Sequence, residues 1–198
     1  MKNLGGSDDA RFAGLPFLPA SRPPATPNQL ETNMASITIG GNEVHTVGTP
    51  PAEGAHAPSF DLTGVDLGEI SLGGLSGQNV VLNIFPSIDT PTCAASVRAF
   101  NERAAALDNT TVLCVSADLP FAQQRFCGAE GIDGVLMGST FRTAAFGKDY
   151  GLTMGDGPMA GLLARAVLVV DGDGQVVHSQ LVPELADEPD YDEALAAL

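Results

Sequence analysis

Residues 79–107 decide the fold, and they read NVVLNIFPSIDTPTCAASVRAFNERAAAL. The first part, from Asn79 to Phe85, is a nearly continuous run of apolar and β-branched residues, which is typical of a central strand covered on both faces. After a loop, from Cys93 to Leu107, apolar residues recur at helical spacing, at Val97, Phe100, Ala104 and Leu107. The segment therefore predicts a strand that leads into a helix, with Cys93 in the first helical turn and on the inward face.

Two similar apolar runs extend this pattern outward along the chain. Thr110 to Val115 reads TTVLCV and Ala166 to Val170 reads AVLVV. A strand, a helix and a second strand of these lengths form a βαβ unit, whose strands are normally parallel and whose connection is right-handed. Gly134 to Met137 is a candidate for one more strand. The segment from Val170 to Val176 contains the Asp-Gly turn of a hairpin, so we expect an antiparallel pair to end the sheet.

The two ends of the chain differ in composition and in predicted structure. Residues 1 to 33 hold five of the 14 prolines and sustain no apolar period, which predicts a disordered Pro-rich leader or upstream extension. In residues 36 to 47, apolar residues alternate with others on both sides of Gly40-Gly41-Asn42, which predicts a β-hairpin. The segment from Tyr191 to Leu198 predicts a terminal helix. We therefore expect residues 34 to 198 to form one thioredoxin-like α/β domain. It would have a mixed central sheet, helices on both faces and an N-terminal β-hairpin.

The charge of the chain is strongly acidic. It has 24 Asp and Glu residues against 9 Lys and Arg residues, a formal net charge of −15. Such a surface repels phosphate backbones and anionic lipids, so we expect no nucleic-acid partner and no membrane partner. The apolar runs are too short to span a bilayer, and Pro16 and Pro19 interrupt the partly apolar stretch near the start, so no secretory signal is predicted. We expect a cytoplasmic protein.

Cysteine usage indicates a reducing compartment. The chain has three cysteines, Cys93, Cys114 and Cys127, and no Cys-x-x-Cys pair. A low and odd number does not form a disulfide framework. The histidines lie far from the cysteines in sequence, so no zinc-binding pattern appears. The cysteines are therefore expected to be either buried or chemically used.

Cys93 lies where the chemistry of a thiol can be altered. A free cysteine has a pKa of about 8.5, which leaves a small fraction as the nucleophilic thiolate at neutral pH. The unpaired N–H groups and the partial positive charge of a helix N-terminus favour the anion. Thr90 can donate its hydroxyl to the sulfur or to a bound oxygen, while Pro86 and Pro91 stiffen the loop. The alternative is a small buried hydrophobic residue at a helix start, a role in which cysteine is common.

The other two cysteines have different predicted surroundings. Asp118, as an acidic cap, and Pro120 predict the start of a helix, and Gly128 predicts its end. The apolar face of this helix would hold Leu119, Ala122 and Phe126. Cys127 is then expected in the last helical turn, which frays at low cost. Spacing alone favours a partly buried structural role for Cys127. Cys114 lies inside a predicted core strand, where an apolar environment raises the pKa of a thiol, so we interpret it as structural and inert.

Around Cys93 the sequence resembles a known family. The pattern Pro86-x-x-x-Thr90-x-x-Cys93 is similar to the peroxidatic motif of the peroxiredoxins. The longer strings FPSIDTPTCAASVRAFNERAA and VLCVSADLPFAQQRF, together with Cys127, resemble the bacterial thiol peroxidase subfamily of the peroxiredoxins. This resemblance extends from about Met34 to Leu198 and favours the reactive interpretation of Cys93.

The resemblance implies a mechanism. Cys93 would attack the peroxide and become a sulfenic acid, and Cys127 would resolve it as an intramolecular disulfide. Thioredoxin would reduce the disulfide by exchange, and the substrates would be hydrogen peroxide and organic hydroperoxides. The family also implies a homodimer, and its chemistry needs no metal, haem, flavin or other cofactor.

An arginine beside the peroxidatic sulfur is a further implication of the resemblance. Arg165 matches it by position, and a guanidinium there would stabilise the thiolate and orient the peroxide. From the residues alone, a cation at a strand entrance is more often an edge or surface charge. Arg98 and Arg142 are competing candidates for the place beside the sulfur.

Three alternatives to this function differ from it in their cysteines or in their turnover. A thioredoxin-like disulfide oxidoreductase needs two close cysteines, but Ser96 stands three residues after Cys93. A different peroxiredoxin subfamily has its resolving cysteine five residues on, where this chain has Arg98. A non-enzymatic holdase or redox-sensing protein on the same fold would oxidise at Cys93 without turnover linked to an electron donor.

Overall fold

The computed structural model describes residues 34–198, and the leader predicted for residues 1 to 33 lies outside the described residues. The strands in this part of the chain are β1 (Ser36–Ile39), β2 (Asn42–His45), β3 (Asp61–Thr63), β4 (Glu69–Ser71), β5 (Asn79–Ile84), β6 (Thr110–Ser116), β7 (Leu136–Ser139), β8 (Ala166–Val170) and β9 (Val176–Leu181). The helices are a 3-10 turn (Gly73–Leu75), α1 (Pro91–Ala104), α2 (Pro120–Glu130), α3 (Ala145–Asp149) and α4 (Tyr191–Ala196).

A mixed sheet forms the centre of the molecule, as predicted. Its strands run in the order β4-β3-β7-β6-β5-β8-β9, with β5, β6 and β7 parallel and the outer pairs antiparallel. The expected βαβ unit is β5, α1 and β6. The expected hairpin at the end of the sheet is β8 and β9. The thioredoxin-like α/β fold is thereby confirmed.

The central strand β5 is buried on both faces because its side chains alternate between two apolar layers. Val80, Leu82 and Ile84 pack on one side with the ring of Phe146 in α3 and the ring of Tyr150 directly after that helix. Val81 and Phe85 face the other side, where α1, α2 and α4 cover the sheet. This double coverage is the physical reason for the continuous apolar run.

The N-terminal hairpin is also confirmed. Strands β1 and β2 form a separate antiparallel pair, and Gly40 and Gly41 make the turn with φ values of 58° and 80°, which favour glycine. The hairpin packs through Ile37 and Val44 against a third apolar cluster that contains Leu185. It therefore lies against the segment that follows β9.

Several predicted boundaries move in the structure, and α1 ends at Ala104 rather than at Leu107. Helix α2 begins after Leu119, which is 51% exposed and is not part of its apolar face. Asp118 is not its cap, because that carboxylate binds the loop before α1. The helix continues through Gly128 and ends at Gly131, whose φ of 67° provides the left-handed stop. Cys127 still lies in the last turn. Strand β7 begins two residues later than the candidate strand.

None of the helices within residues 34–198 has the length and apolar character required to cross a membrane.

Candidate active site

Cys93 is the third residue of α1 and follows the carboxyl end of β5. Thr90 precedes the helix in an extended conformation, and Pro91 takes the first helical position, where a missing N–H removes no helical hydrogen bond. Cys93 is 0% exposed and packs among apolar side chains that include Phe85 and Val97. Its thiol therefore lies at the positive end of a helix and away from bulk water.

The guanidinium of Arg165 reaches this sulfur. Arg165 immediately precedes β8, is 2% exposed, and its Nη2 atom lies 3.5 Å from the Sγ atom of Cys93. The carbonyl of Leu185 accepts hydrogen bonds from Nε at 3.1 Å and from Nη2 at 3.0 Å. The Nη1 atom is buried and has no hydrogen-bond partner among the described residues. The guanidinium is thus held in place and retains one free donor.

A buried guanidinium requires an anion. Among residues 34–198 no carboxylate forms a salt bridge with Arg165, so the Cys93 sulfur is the group beside it that can carry the opposite charge. An unpaired buried charge is strongly unfavourable, so a group of opposite charge beside the guanidinium is favoured. The free Nη1 donor is suited to an oxygen atom that approaches the sulfur.

The two competing arginines lie elsewhere. Arg98 is exposed and pairs with Glu130, with 2.9 Å between Nε and Oε2, which raises the pKa of the guanidinium. Arg142 donates to the carbonyl of Leu67 at 3.3 Å and stacks over Phe141. Of the three candidates, only Arg165 contacts the Cys93 sulfur in the described part of the chain.

Pro86 and Thr90 line a cleft together with Arg165. The cleft has a volume of about 210 Å³ and is also bounded by the hairpin turn and by the segment after β9. The hydroxyl of Thr90 donates to the carbonyl of Ser87 at 3.2 Å. Of the two predicted roles of this hydroxyl, the hydrogen bond to the sulfur is not formed, because the hydroxyl closes the turn before α1. Donation to a bound oxygen stays a prediction.

Asp118 fastens the loop that carries Pro86 and Thr90. Its carboxylate accepts hydrogen bonds from the Ser87 hydroxyl, the Ile88 N–H and the Ser116 hydroxyl, each at 2.7 Å. The prediction of Asp118 as a helix cap is therefore wrong, and its role in this loop was not predicted. The available signal was an acidic residue directly after a parallel strand, at the sheet edge where sites in α/β folds occur.

A buried polar chain links β5 to the main chain of Cys93. The amide nitrogen of Asn83 donates to the Ser96 hydroxyl at 3.2 Å, and that hydroxyl donates to the Cys93 carbonyl at 2.9 Å. Asn83 and Ser96 are both 0% exposed. Asn83 was hidden inside an apolar run, where a single polar residue was the signal available from sequence. The pair ties the first turn of α1 to the central strand.

Cys127 does not lie beside Arg165. It is half-buried on α2 and lines a separate pocket of about 370 Å³, which has no residue in common with the cleft. Its side chain nevertheless packs against the same apolar cluster that holds Cys93. Burial raises the pKa of the Cys127 thiol. All three cysteines are free thiols.

Cys114 lies at the centre of β6 with no exposed surface. Burial raises the pKa of its thiol to about 12, against a smaller opposing effect of the hydrogen bond from Asn83. A thiol that does not ionise at neutral pH is a poor nucleophile.

Comparison with known proteins gives consistent matches. The family profile described as Redoxin matches residues 52–195. The thiol peroxidase of Mycobacterium tuberculosis is 62% identical over 165 residues, which cover 83% of this chain and 99% of that protein. The thiol peroxidase of Corynebacterium glutamicum is 54% identical over 165 residues with the same coverage. A peroxiredoxin-like protein from Aquifex aeolicus has a solved structure that superposes with a TM-score of 0.78 at 41% identity, over 83% of this chain and 96% of its own.

Proposed function

This chain belongs to the Redoxin family and, within it, to the thiol peroxidases, and on that basis we propose that Cys93 is the residue with which it reduces peroxides. The protein is a peroxidase that acts on hydrogen peroxide and organic hydroperoxides and takes its electrons from a thioredoxin-type dithiol. The observation that carries the assignment to Cys93 is the contact of its sulfur with the buried Arg165 guanidinium.

In the first step, the Cys93 thiolate attacks the terminal oxygen of the peroxide. An S–O bond forms, the O–O bond breaks, and the sulfur is oxidised by two electrons to a sulfenic acid. The leaving hydroxide or alkoxide takes a proton and departs as water or an alcohol. Arg165 stabilises the charge that develops on the oxygens, because its Nη1 donor is free and already in place. Pro86 and Thr90 shape the cleft through which the peroxide enters.

In the second step, the Cys127 thiolate attacks the sulfenic sulfur, the S–O bond breaks, and an intramolecular disulfide forms, while the leaving hydroxide takes up a proton and departs as water. Cys127 lies in the last turn of α2 and Cys93 in the first turn of α1, and helix ends open locally at low cost. An external dithiol then reduces the disulfide by exchange, which restores both thiols.

The experiment that tests this function follows NADPH consumption in the presence of thioredoxin, thioredoxin reductase and a peroxide. The Cys93→Ser variant is expected to have no activity above the background, whereas Cys114→Ser retains turnover because Cys114 takes no part in the cycle. Cys127→Ser is expected to form the sulfenic acid but not the disulfide, which mass spectrometry after one equivalent of peroxide distinguishes. Full turnover by Cys93→Ser refutes the assignment.

We also propose a homodimer. Apolar side chains at the start of α2 and after β7 are exposed, with Leu119 at 51%, Phe121 at 61% and Phe141 at 42%. Exposed apolar side chains of this size are suited to an interface with a second copy. Sedimentation equilibrium tests the oligomeric state, and Phe121→Glu is expected to shift it towards the monomer.

The remaining assignments concern the organisation and location of the chain. We propose that residues 34–198 are the peroxidase domain and that residues 1 to 33 are a leader or upstream extension. A reducing compartment, the cytoplasm, is the location that suits an enzyme recycled by a dithiol. Limited proteolysis tests the first proposal, and fractionation of the source cells tests the second.

A further inference from the structure

A short segment after β9, residues 183–186, contacts three separate parts of the site. The carbonyl of Leu185 accepts the two hydrogen bonds from Arg165. The carbonyl of Ala186 accepts a hydrogen bond from the Thr92 hydroxyl, in the first turn of α1, at 3.1 Å. The side chain of Glu184 extends the other way, towards the N-terminal hairpin. Consecutive residues of this segment therefore link the hairpin, the arginine and the nucleophile's helix.

Each oxygen of the Glu184 carboxylate accepts two hydrogen bonds in this link. Its Oε2 atom accepts from the Thr38 hydroxyl at 2.7 Å and from the Gly41 N–H at 3.1 Å, and Oε1 accepts from the Gly40 N–H at 3.0 Å and from the Ala186 N–H at 3.2 Å. These donors, the Thr38 hydroxyl above all, lower the pKa of the Glu184 carboxyl to about 2. The carboxylate therefore remains ionised, and it holds the glycine turn at both exposed N–H groups.

The main chain supports the same contact. The Thr38 N–H donates to the Pro183 carbonyl at 2.7 Å, and the Leu185 N–H donates to the Thr38 carbonyl at 2.8 Å. The Leu185 side chain is 5% exposed and packs with Ile37 and Val44 of the hairpin. The position of the Leu185 carbonyl is thus set by the hairpin, although the group that it binds is the arginine of the peroxidase site.

We propose that Glu184 is a positioning residue of the peroxidase site: by clamping the hairpin turn to residues 183–186, it fixes the Leu185 carbonyl that aims Arg165 at the Cys93 sulfur. This inference deepens the proposed function and rests on it.

The direction of Arg165 depends on one carbonyl because no carboxylate forms a salt bridge with its guanidinium among the described residues. The Leu185 carbonyl accepts both Nε and Nη2, which sets the plane of the guanidinium and leaves Nη2 directed at the sulfur and Nη1 free. Hydrogen bonds weaken steeply when their angle is lost. A displaced carbonyl would therefore rotate the arginine away from the thiolate.

The test uses Glu184→Gln in the full-length chain, because glutamine keeps the shape but loses the charge and half of the acceptor set. The rate of Cys93 alkylation by iodoacetamide at pH 7 is followed by peptide mass spectrometry, and the rate of its oxidation by hydrogen peroxide is followed by stopped flow. We expect both to fall about tenfold, the change that about 1.4 kcal/mol produces. Thr38→Val, which removes one donor, should give a smaller decrease of both rates.

A matched control separates positioning from general support of the hairpin. Asp156 accepts from the His45 N–H at 2.8 Å and contacts the His45 ring at 2.9 Å, so it also anchors the hairpin through a carboxylate, but it makes no hydrogen bond to residues 183–186. Asp156→Asn should lower the melting temperature without lowering the rates of Cys93 alkylation and oxidation. Equal slowing by Asp156→Asn and Glu184→Gln overturns the proposal, as does an unchanged rate in Glu184→Gln.

A double-mutant cycle with Arg165→Met gives the decisive comparison. If Glu184 acts through Arg165, adding Glu184→Gln to the Arg165→Met protein should not lower the rates of Cys93 alkylation and oxidation any further. Additive slowing overturns the proposal. Because alkylation does not require peroxidase activity, a chain whose Cys93 alkylates but does not react with peroxide contradicts the proposed function while the positioning role is still measured.

Discussion

The Nη2 atom of Arg165 lies 3.5 Å from the Sγ atom of Cys93, although 72 positions separate the two residues in the chain. The guanidinium reaches the sulfur because β8, which follows Arg165, pairs with β5, which precedes the loop to Cys93. The sheet therefore brings a cation and a thiol together at one edge.

Replacement of this arginine by lysine tests this contact. Lysine keeps the charge but lacks the planar fork, so it cannot hold the Leu185 carbonyl and the sulfur together. We expect Arg165→Lys to lower the rate constant for Cys93 with hydrogen peroxide about 10- to 100-fold, since a hydrogen bond to a charged group contributes about 1.5–3 kcal/mol. Stopped-flow kinetics measures it, and Arg98→Lys, at an exposed salt bridge, is the control expected to retain the wild-type rate.

Asp118→Asn tests the fastening of the loop before α1. Asparagine leaves at least one of the three donors, on Ser87, Ile88 and Ser116, without its acceptor. We expect the free energy of unfolding to fall by about 1–3 kcal/mol and kcat/KM for peroxide to fall with it. Chemical denaturation and steady-state kinetics provide the measurements. Asp89→Asn, in the same loop but at an exposed pair with Arg125, should change neither, and similar losses in both variants would contradict the role of Asp118.

The pH dependence of disulfide formation tests the resolving role of Cys127. Burial raises the pKa of this thiol, so its nucleophilic thiolate is less populated at neutral pH than that of a free cysteine. We expect the step from sulfenic acid to disulfide to accelerate from pH 7 to pH 9 and to continue rising above about 8.5, where a free thiol would level off. Rapid quenching with mass spectrometry follows this step. A rate that does not change with pH argues against attack by the Cys127 thiolate.

The stability of the protein at alkaline pH tests the burial of Cys114. Its pKa is raised to about 12 in the folded state, so the folded protein keeps a proton that the unfolded chain loses at lower pH. The stabilisation is therefore complete below the ordinary thiol pKa and is lost as the pH rises towards the folded value, with a slope of up to about 1.4 kcal/mol per pH unit. Urea denaturation between pH 8 and pH 10.5 should show a shallower decline for Cys114→Ala than for the wild type. Parallel declines would show that Cys114 does not titrate on unfolding.

The sequence predicted the strands and the helix that carry the site, because local patterns determine these elements. The apolar run of β5, the helical spacing after Cys93 and the Asp-Gly turn each reflect interactions within a few residues. The motif carried by Pro86, Thr90 and Cys93 then pointed to the thiol at the start of α1, and the resemblance pointed to Arg165, which contacts its sulfur.

The supporting contacts could not be predicted, because they join distant parts of the chain. Glu184 binds Thr38 across 146 positions, and a charged residue in a loop gives no sign of such a partner. Asn83 is concealed by its apolar neighbours in the sequence, and Gly128 is a plausible helix end by local propensity, although Gly131, in the left-handed conformation, ends α2. Local propensity alone does not decide between two glycines three positions apart.

The cleft at Arg165 and the pocket at Cys127 share no lining residue, and this separation has a pharmacological consequence. A compound seated in the cleft at Arg165 would compete with the peroxide and leave the enzyme reduced. A compound seated in the pocket at Cys127 would instead let the sulfur of Cys93 react once with the peroxide but would block disulfide formation with Cys127. The sulfenic acid would then remain exposed to irreversible overoxidation. Occupancy of the second pocket would thus turn the substrate itself into an inactivator.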